Sequence, residues 1–318
     1  MAPMLRSCSD QGMRVPGVIL KTHLPSSEPD PVRRRALLRS GRIRAVGHWY
    51  VTDEAPQDLV DVLALHLRPT CLDAAALHAL WVPISEGTHV FRPRTVALPS
   101  EAPTVLPIRR RVDPSSGELV PLPTPAEGGP DREPQPLVLH APRLRNWPSA
   151  DPVPDIGLTL AHAARCLPTR DAAILIESAL NRGALTRSGL ATLLDGLPAR
   201  TRQPLSRVRS DAQSGTETAV RWWLERRCAT VRSQAQLLPD VRVDLLVGTN
   251  WVIECDSRSF HDDPNRYRED RRRDLALAER GYRVTRLTWE QVFLQWGETE
   301  QMLLTMLRRR EHRRALPR

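Results

Sequence analysis

The sequence lacks several features that define common protein classes. Its 318 residues contain no apolar run long enough to cross a bilayer. Residues 1–24 carry arginine but not the continuous apolar core of a signal peptide. Five cysteines are scattered along the chain without a C-x-x-C pair, which argues against a disulfide framework and against a zinc site. We therefore expect a cytoplasmic protein with no membrane contact and no small-molecule cofactor.

Lysine is almost absent. Lys21 stands alone beside 45 arginines among the 46 basic residues, and the net charge is +9. Arginine forks bind phosphate oxygens through two-point contacts, so the composition favours a nucleic acid as partner. A basic surface that binds no nucleic acid would have the same composition, and charge alone does not separate the two readings.

Residues 1–98 are predicted to form a winged-helix-like, DNA-binding region. A helix over 31–40 ends at Gly41, and two short β-stretches, 43–46 and 48–52, follow around Gly47. A helix followed by a hairpin is how a winged helix closes. Two more amphipathic helices are predicted over 56–66 and 72–81.

Proline dominates the middle of the chain. Pro99 to Pro154 holds 14 prolines in 56 residues, a density that excludes long helices and central strands. Residues 99–156 are therefore predicted to be an irregular connector. Helical patterns with caps return after it, and residues 157–212 are predicted to form a helical bridge.

Residues 213–305 show the clearest pattern. A helix from Ser214 to Arg227 precedes two β-runs, 241–247 and 251–256; a polar loop, a charged helix from Pro264, a strand over 282–288 and a last helix near Glu290 follow. This order predicts an α/β (α+β) domain with a central mixed sheet. A basic tail, residues 306–318, ends the chain.

The two β-runs form an acidic hairpin if its turn is centred on Thr249. Asp244 then faces Glu254 across the hairpin at ~4.5–5.5 Å between Cβ atoms, and Asp256 shares the face of Glu254. Carboxylates at this spacing repel, so they need a cation such as Mg²⁺ or pairing with arginine. Both readings fit the residues, and a bound cation would activate water for phosphate hydrolysis.

Two neighbours join this set as candidates. Glu217 completes the capping-box pattern Ser214-x-x-Glu217 and could serve as a cap, as a further acid near the metal, or as both. His261 lies five residues after Asp256 and is either a general base or acid, a contact to the leaving phosphate, or a surface histidine. On the charged helix, arginines such as Arg273 either face phosphate or pair along the helix.

These residues resemble a bacterial domain family related to the very-short-patch mismatch-repair endonuclease, within the restriction-endonuclease-like superfamily often written PD-(D/E)XK. The resemblance covers about Ser214 to Phe293 and rests on Glu217, Val-Asp244, Ile-Glu254-Cys-Asp256, Arg258-Ser-Phe-His261, Asp270-x-x-Arg273-Asp274 and Gly281-Tyr-Arg-Val-Thr-Arg286. It implies a divalent-metal-dependent DNA endonuclease using Mg²⁺ or Mn²⁺. The implied metal ligands are Asp244 and Glu254, with Asp256 and His261 as further active-site residues. Ser257 stands where the family prefers glycine, and Asp256 replaces the superfamily's common lysine.

The amino-terminal half is similar to AbiEi-type antitoxin proteins. The similarity rests on residues 17–52, above all VRRRALLRSGRIRAVGHWYV, and on LDAAALHALWVP at 72–83. It implies DNA binding through the helix that carries Arg33, Arg34, Arg35 and Arg39. It also implies a toxin protein as partner.

Three functional hypotheses follow. The first is a DNA-binding, divalent-metal-dependent endonuclease that hydrolyses phosphodiester bonds. The second is an antitoxin-like transcriptional regulator whose nuclease fold is not catalytic. The third is a protein that neutralises a toxin and has no DNA role.

Overall fold

The computed structural model describes residues 13–23, 31–92, 96–97, 103–108, 110–112, 119–121, 133–140, 151–227, 229–256 and 264–316. The chain is a mixed α/β protein with several separate sheets, and it divides into two compact units, Met1–Arg207 and Val208–Arg318. Within the described ranges, no helix combines the length and apolarity that a membrane crossing needs.

The first unit begins with a small antiparallel sheet. Its elements are β1 (Val18–Leu20), α1 (Pro31–Arg39), β2 (Arg44–Val46), β3 (Trp49–Val51) and α2 (Gln57–Ala64), with strand order β1-β3-β2. Trp49 and Val51 of β3 are buried against Leu59 and Leu63 of α2. The predicted order of a helix and then a hairpin is confirmed, and α2 lies within its predicted range.

A second, four-stranded sheet follows in the same unit. The elements are β4 (Arg68–Pro69), α3 (Cys71–Leu77), β5 (Thr88–Phe91), β6 (Thr104–Val105), β7 (Arg110–Val112), β8 (Leu119–Pro121) and β9 (Gln135–His140). The strand order is β4-β5-β9-β6, while β7 and β8 pair with each other. Strand β9 runs parallel to β5 and antiparallel to β6.

The expectation that proline excludes central strands from residues 99–154 is wrong for β9. This strand contains Pro136 and lies between β5 and β6. Because β6 has only two residues, it pairs with Gln135 and Pro136, while Leu137 to His140 pair with β5. Pro136, which has no amide hydrogen to donate, therefore lies beside the short strand β6 and outside the longer β5–β9 pairing.

Four helices end the first unit. They are α4 (Ile156–Cys166), α5 (Thr169–Asn181), α6 (Arg187–Asp195) and α7 (Ala199–Leu205). Asp155 and Thr186 accept amide hydrogen bonds as the N-caps of α4 and α6. Three of these helices match the predicted patterns; α7 lies within the predicted helical bridge but was not predicted as a separate helix, and Pro204 lies inside it.

The second unit is one mixed sheet with helices. Its elements are α8 (Gly215–Glu225), β10 (Val231–Leu238), β11 (Val241–Val247), β12 (Trp251–Asp256), α9 (Pro264–Glu279), β13 (Arg283–Thr288), α10 (Trp289–Phe293) and α11 (Trp296–Arg308). The strand order is β10-β11-β12-β13, antiparallel except for the parallel pair β12–β13. The predicted order is confirmed, with two additions: strand β10, and two helices in place of one at the end.

The hairpin β11–β12 has the predicted register. Leu245 pairs with Ile253 and Val247 pairs with Trp251, which centres the turn on Thr249. These four side chains are almost completely buried. The same register, continued by one residue, brings Asp244 beside Glu254.

Candidate acidic site

The acidic site begins at the start of α8. The backbone amide of Glu217 donates to Ser214 Oγ at 3.1 Å, so the predicted N-cap is confirmed. Oε2 of the Glu217 carboxylate accepts from the backbone amide of Gln213, the residue before the N-cap, at 3.0 Å. Glu217 is 3% exposed, and this buried carboxylate is held by the first turn of the helix.

Gln234 on β10 joins two of the acids. Its side-chain amide donates to Glu217 Oε2 at 2.9 Å and to Asp244 Oδ1 at 3.2 Å. The flanking pairs of the β10–β11 ladder place Gln234 opposite Asp244. Gln234 has a φ of 50°, a conformation that non-glycine residues adopt rarely and that marks a local constraint. Sequence reasoning missed this residue because β10 itself was not predicted.

Asp244 in the middle of β11 and Glu254 inside β12 are joined by hydrogen bonds. Asp244 Oδ2 accepts from the Cys255 amide at 2.8 Å, and the Asp244 amide donates to Glu254 Oε2 at 3.3 Å. Arg273 of α9 donates from Nη2 to Glu254 Oε1 at 2.6 Å and also to the Arg242 carbonyl oxygen. Among the described residues, the site therefore contains three carboxylates, one bridging amide and one guanidinium.

Burial sets the electrostatics of the site. Burial first, and the Asp244 charge second, raise the pKa of Glu217 to about 7. The same two causes raise the pKa of Glu254 to about 8, although Arg273 acts in the opposite direction. Both glutamates therefore have pKa values raised towards neutral pH, and a bound cation would favour their ionised forms.

Of the remaining predicted site residues, the structure describes some and leaves others out. The backbone of Asp256 ends β12, but its side chain and all of His261 lie outside the described residues, as does the side chain of Arg33. Arg35 and Arg39 are exposed on α1, and Arg34 is half-buried. Arg286 lies beside Glu254 in the β12–β13 register, and its guanidinium pairs with Asp274 at 2.9 Å.

A second group of chemically active side chains lies in the first unit. The ligand atoms of Cys71, His89, His140 and Cys166 all lie within 4.8 Å of one another. The four residues come singly from α3, β5, β9 and α4. Cysteine spacing in the sequence did not point to this cluster, because a rule based on paired cysteines does not detect side chains contributed one at a time by separate elements.

Comparisons with known proteins do not assign the chain to a family. No family model matches the chain, and none of the curated proteins matches it. The crystal structure of the RV2827C protein from Mycobacterium tuberculosis aligns at 12% identity over 64% of this chain and 75% of that chain, with a TM-score of 0.26. An overlap this low does not establish a shared fold.

Proposed function

We propose that this chain is a DNA-binding, divalent-metal-dependent endonuclease with a restriction-endonuclease-like second unit. The observation that carries the proposal is the group of Glu217, Asp244 and Glu254, gathered from α8, β11 and β12, in which both glutamates are buried and Asp244 is half-buried. Burying several carboxylates together is costly unless protons or cations compensate them. The raised pKa values of the two glutamates reflect that cost.

The donor set fits Mg²⁺ or Mn²⁺. Carboxylate oxygens are the ligands that these hard cations prefer, and Asp244 and Glu254 supply them from neighbouring strands. When bound, such a cation lowers the pKa of an attacking water and neutralises phosphate charge.

The chain's own residues position the carboxylates and take up a proton. Gln234 fixes the relative positions of Glu217 and Asp244, and Arg273 orients Glu254. Glu217, with a pKa of about 7, is suited to accept a proton from a water that attacks phosphorus. Asp256 and His261 stay candidates for this work from sequence alone.

DNA binding is assigned to the helix–hairpin of the first unit. Residues 31–46 contain six arginines and no acidic residue. The arginines of α1, Arg33, Arg34, Arg35 and Arg39, would contact backbone phosphates. A winged helix uses this arrangement on duplex DNA.

Plasmid nicking tests the proposal. Wild-type protein, Asp244→Asn, Glu254→Gln and the exposed-acid control Asp240→Asn are incubated with supercoiled plasmid, with and without Mg²⁺ or Mn²⁺. We expect cation-dependent nicking by wild type and Asp240→Asn, and a loss of at least ~100-fold in the two site variants, the scale of losing a cation that activates water. Equal nicking by all four proteins would refute the enzyme assignment.

A second candidate is the antitoxin-like transcriptional regulator. It is favoured by one observation: Gln234 and Arg273 already satisfy the carboxylates in a set that holds together without a cation. This candidate predicts a footprint on duplex DNA upstream of its own gene that survives chelation, with no strand cleavage. Cleavage that requires Mg²⁺ would exclude it, and a toxin that co-purifies and releases the DNA would support it.

A further inference from the structure

The cysteine–histidine cluster of the first unit lies outside the acidic site. Cys71 begins α3, His89 lies in β5, His140 ends β9 and Cys166 ends α4. Two thiols and two imidazoles from four elements converge on one point. Both cysteines are free, so no disulfide accounts for their approach.

Two distances inside the cluster match those around a tetrahedral zinc ion. His89 Nδ1 lies 3.2 Å from His140 Nε2 and 3.7 Å from Cys166 Sγ. Zn–N bonds of about 2.0 Å and Zn–S bonds of about 2.3 Å place tetrahedral ligand atoms about 3.3–3.8 Å apart. We propose that Cys71, His89, His140 and Cys166 bind one zinc ion as a Cys₂His₂ site.

The buried imidazole of His89 supports this assignment. The residue is 2% exposed, and its other ring nitrogen, Nε2, makes no hydrogen bond to any described residue. The hydrogen-bond contacts of its ring that the structure describes therefore lie within the cluster. A buried ring nitrogen that faces another imidazole and a thiol is well compensated by a metal ion and poorly compensated otherwise.

The surroundings of the cluster hold its members in place. Asp73 of α3 accepts from the His89 amide at 2.6 Å with one oxygen and from the Ile108 amide at 2.6 Å with the other. The ring of His162 stacks on His140 at 5.3 Å and is fixed by Thr70 Oγ1 at 2.7 Å. The Asp73 hydrogen bonds use backbone amides and none of the four ligand atoms, so they remain when the side chain of one ligand is replaced.

Four protein ligands define a structural site and not a catalytic one, because no position remains for water or substrate. The zinc ion would join β5 and β9 to α3 and α4. Cys71 is buried, whereas Cys166 is exposed. Metal exchange would therefore take place at the Cys166 side.

Metal analysis of the full-length chain tests the site. Protein purified without a metal-affinity column is expected to hold one zinc per chain by mass spectrometry of its metals. Cobalt replacement should give thiolate-to-cobalt charge-transfer bands and the intense visible bands of tetrahedral coordination. Wild type alone decides the question: absence of bound zinc together with an octahedral cobalt spectrum, or a Cys71–Cys166 disulfide by intact mass, overturns the proposal.

Variants locate the metal. Cys166→Ser and His140→Ala should lose the zinc. In the cobalt-treated proteins, the thiolate-to-cobalt band should be reduced in Cys166→Ser and the tetrahedral bands altered in His140→Ala. Cys255→Ser, a cysteine outside the cluster, should retain one zinc. Asp244→Asn should retain it too, which separates this site from the acidic one. Zinc retained in full by both cluster variants contradicts the assignment.

Discussion

Arg273 of α9 and Glu254 of β12 form a close ion pair, with Nη2 and Oε1 2.6 Å apart and the glutamate side chain 7% exposed. Removing one partner of such a pair leaves a buried charge without compensation. Arg273→Ala should therefore lower the free energy of unfolding by about 2–3 kcal/mol, less than for a fully buried pair because the arginine is partly exposed. Urea unfolding at pH 9, where Glu254 is ionised, measures the loss.

Two further variants separate the ion pair from helix effects. Arg272→Ala removes an exposed arginine of the same helix and should change stability by less than about 0.5 kcal/mol. Adding Glu254→Gln to Arg273→Ala should restore part of the loss, because no charge is then buried. A double variant that is less stable than Arg273→Ala alone would contradict this explanation.

Glu217 predicts a pH-dependent stability. Its folded-state pKa of about 7 exceeds the unfolded value of 4.5, so the folded chain binds more protons between these values. The contribution of Glu217 is therefore complete below about pH 4.5 and is lost as pH rises through about 7. Glu217→Gln avoids this loss and should be more stable than wild type at pH 8, by up to about 3 kcal/mol, with little difference at pH 5.

The measurement is the difference in unfolding free energy between variant and wild type at both pH values, in buffer without added Mg²⁺. Glu298→Gln is the matched control, since Glu298 is an exposed acid in the first turn of α11. It should show no comparable gain at pH 8. A Glu217→Gln variant that is equally destabilised at pH 5 and pH 8 would show that the carboxylate acts through hydrogen bonds alone.

The arginines of α1 predict a salt-dependent DNA affinity. Each phosphate contact contributes about −0.9 to the slope of log affinity against log salt concentration. Arg35→Ala and Arg39→Ala should each make that slope less steep by about 0.9 and weaken binding across unrelated duplex sequences. Arg200→Ala, an exposed arginine of α7, is the control and should leave the slope unchanged. Unchanged slopes in all three variants would remove α1 from the DNA-binding surface.

The sequence predicted the second unit well where local patterns decide structure. The hairpin register followed from the Gly-Thr-Asn turn and from the alternation of buried residues in β11 and β12. Strand β10 escaped prediction because Ser233, Gln234 and Gln236 interrupt its apolar pattern. The bridging role of Gln234 depends on that strand and could not be predicted without it.

Contacts between elements that are distant in the sequence were harder to predict. The Cys71, His89, His140 and Cys166 cluster forms because β5 and β9 are parallel neighbours and α3 and α4 pack together, and no local spacing encodes this topology. The partner of Arg273 was open for the same reason, since a helix pattern does not tell which strand the helix faces. Local patterns therefore predicted the elements and the acids, while the ligand set and the ion pair required the fold.

Gly248 gives a final, purely structural prediction. It lies in the β11–β12 turn with a φ of 61°, and a Cβ atom at this position would collide with the carbonyl oxygen of His312. The same carbonyl accepts from the Thr249 amide at 2.8 Å, so it cannot move without losing a hydrogen bond. Gly248→Ala should lower stability by at least about 2 kcal/mol, since it combines a disfavoured backbone conformation with a clash.

Gly297→Ala is the matched control for that substitution. Gly297 lies in the first turn of α11, and a Cβ there meets no atom within 4 Å. Alanine favours the helix, so this variant should be neutral or more stable by up to about 1 kcal/mol. Thermal unfolding of both variants beside wild type gives the comparison. Because the clash depends on residues 311–313 packing beside the turn, a Gly248→Ala variant as stable as Gly297→Ala would mean that this segment does not pack there in solution.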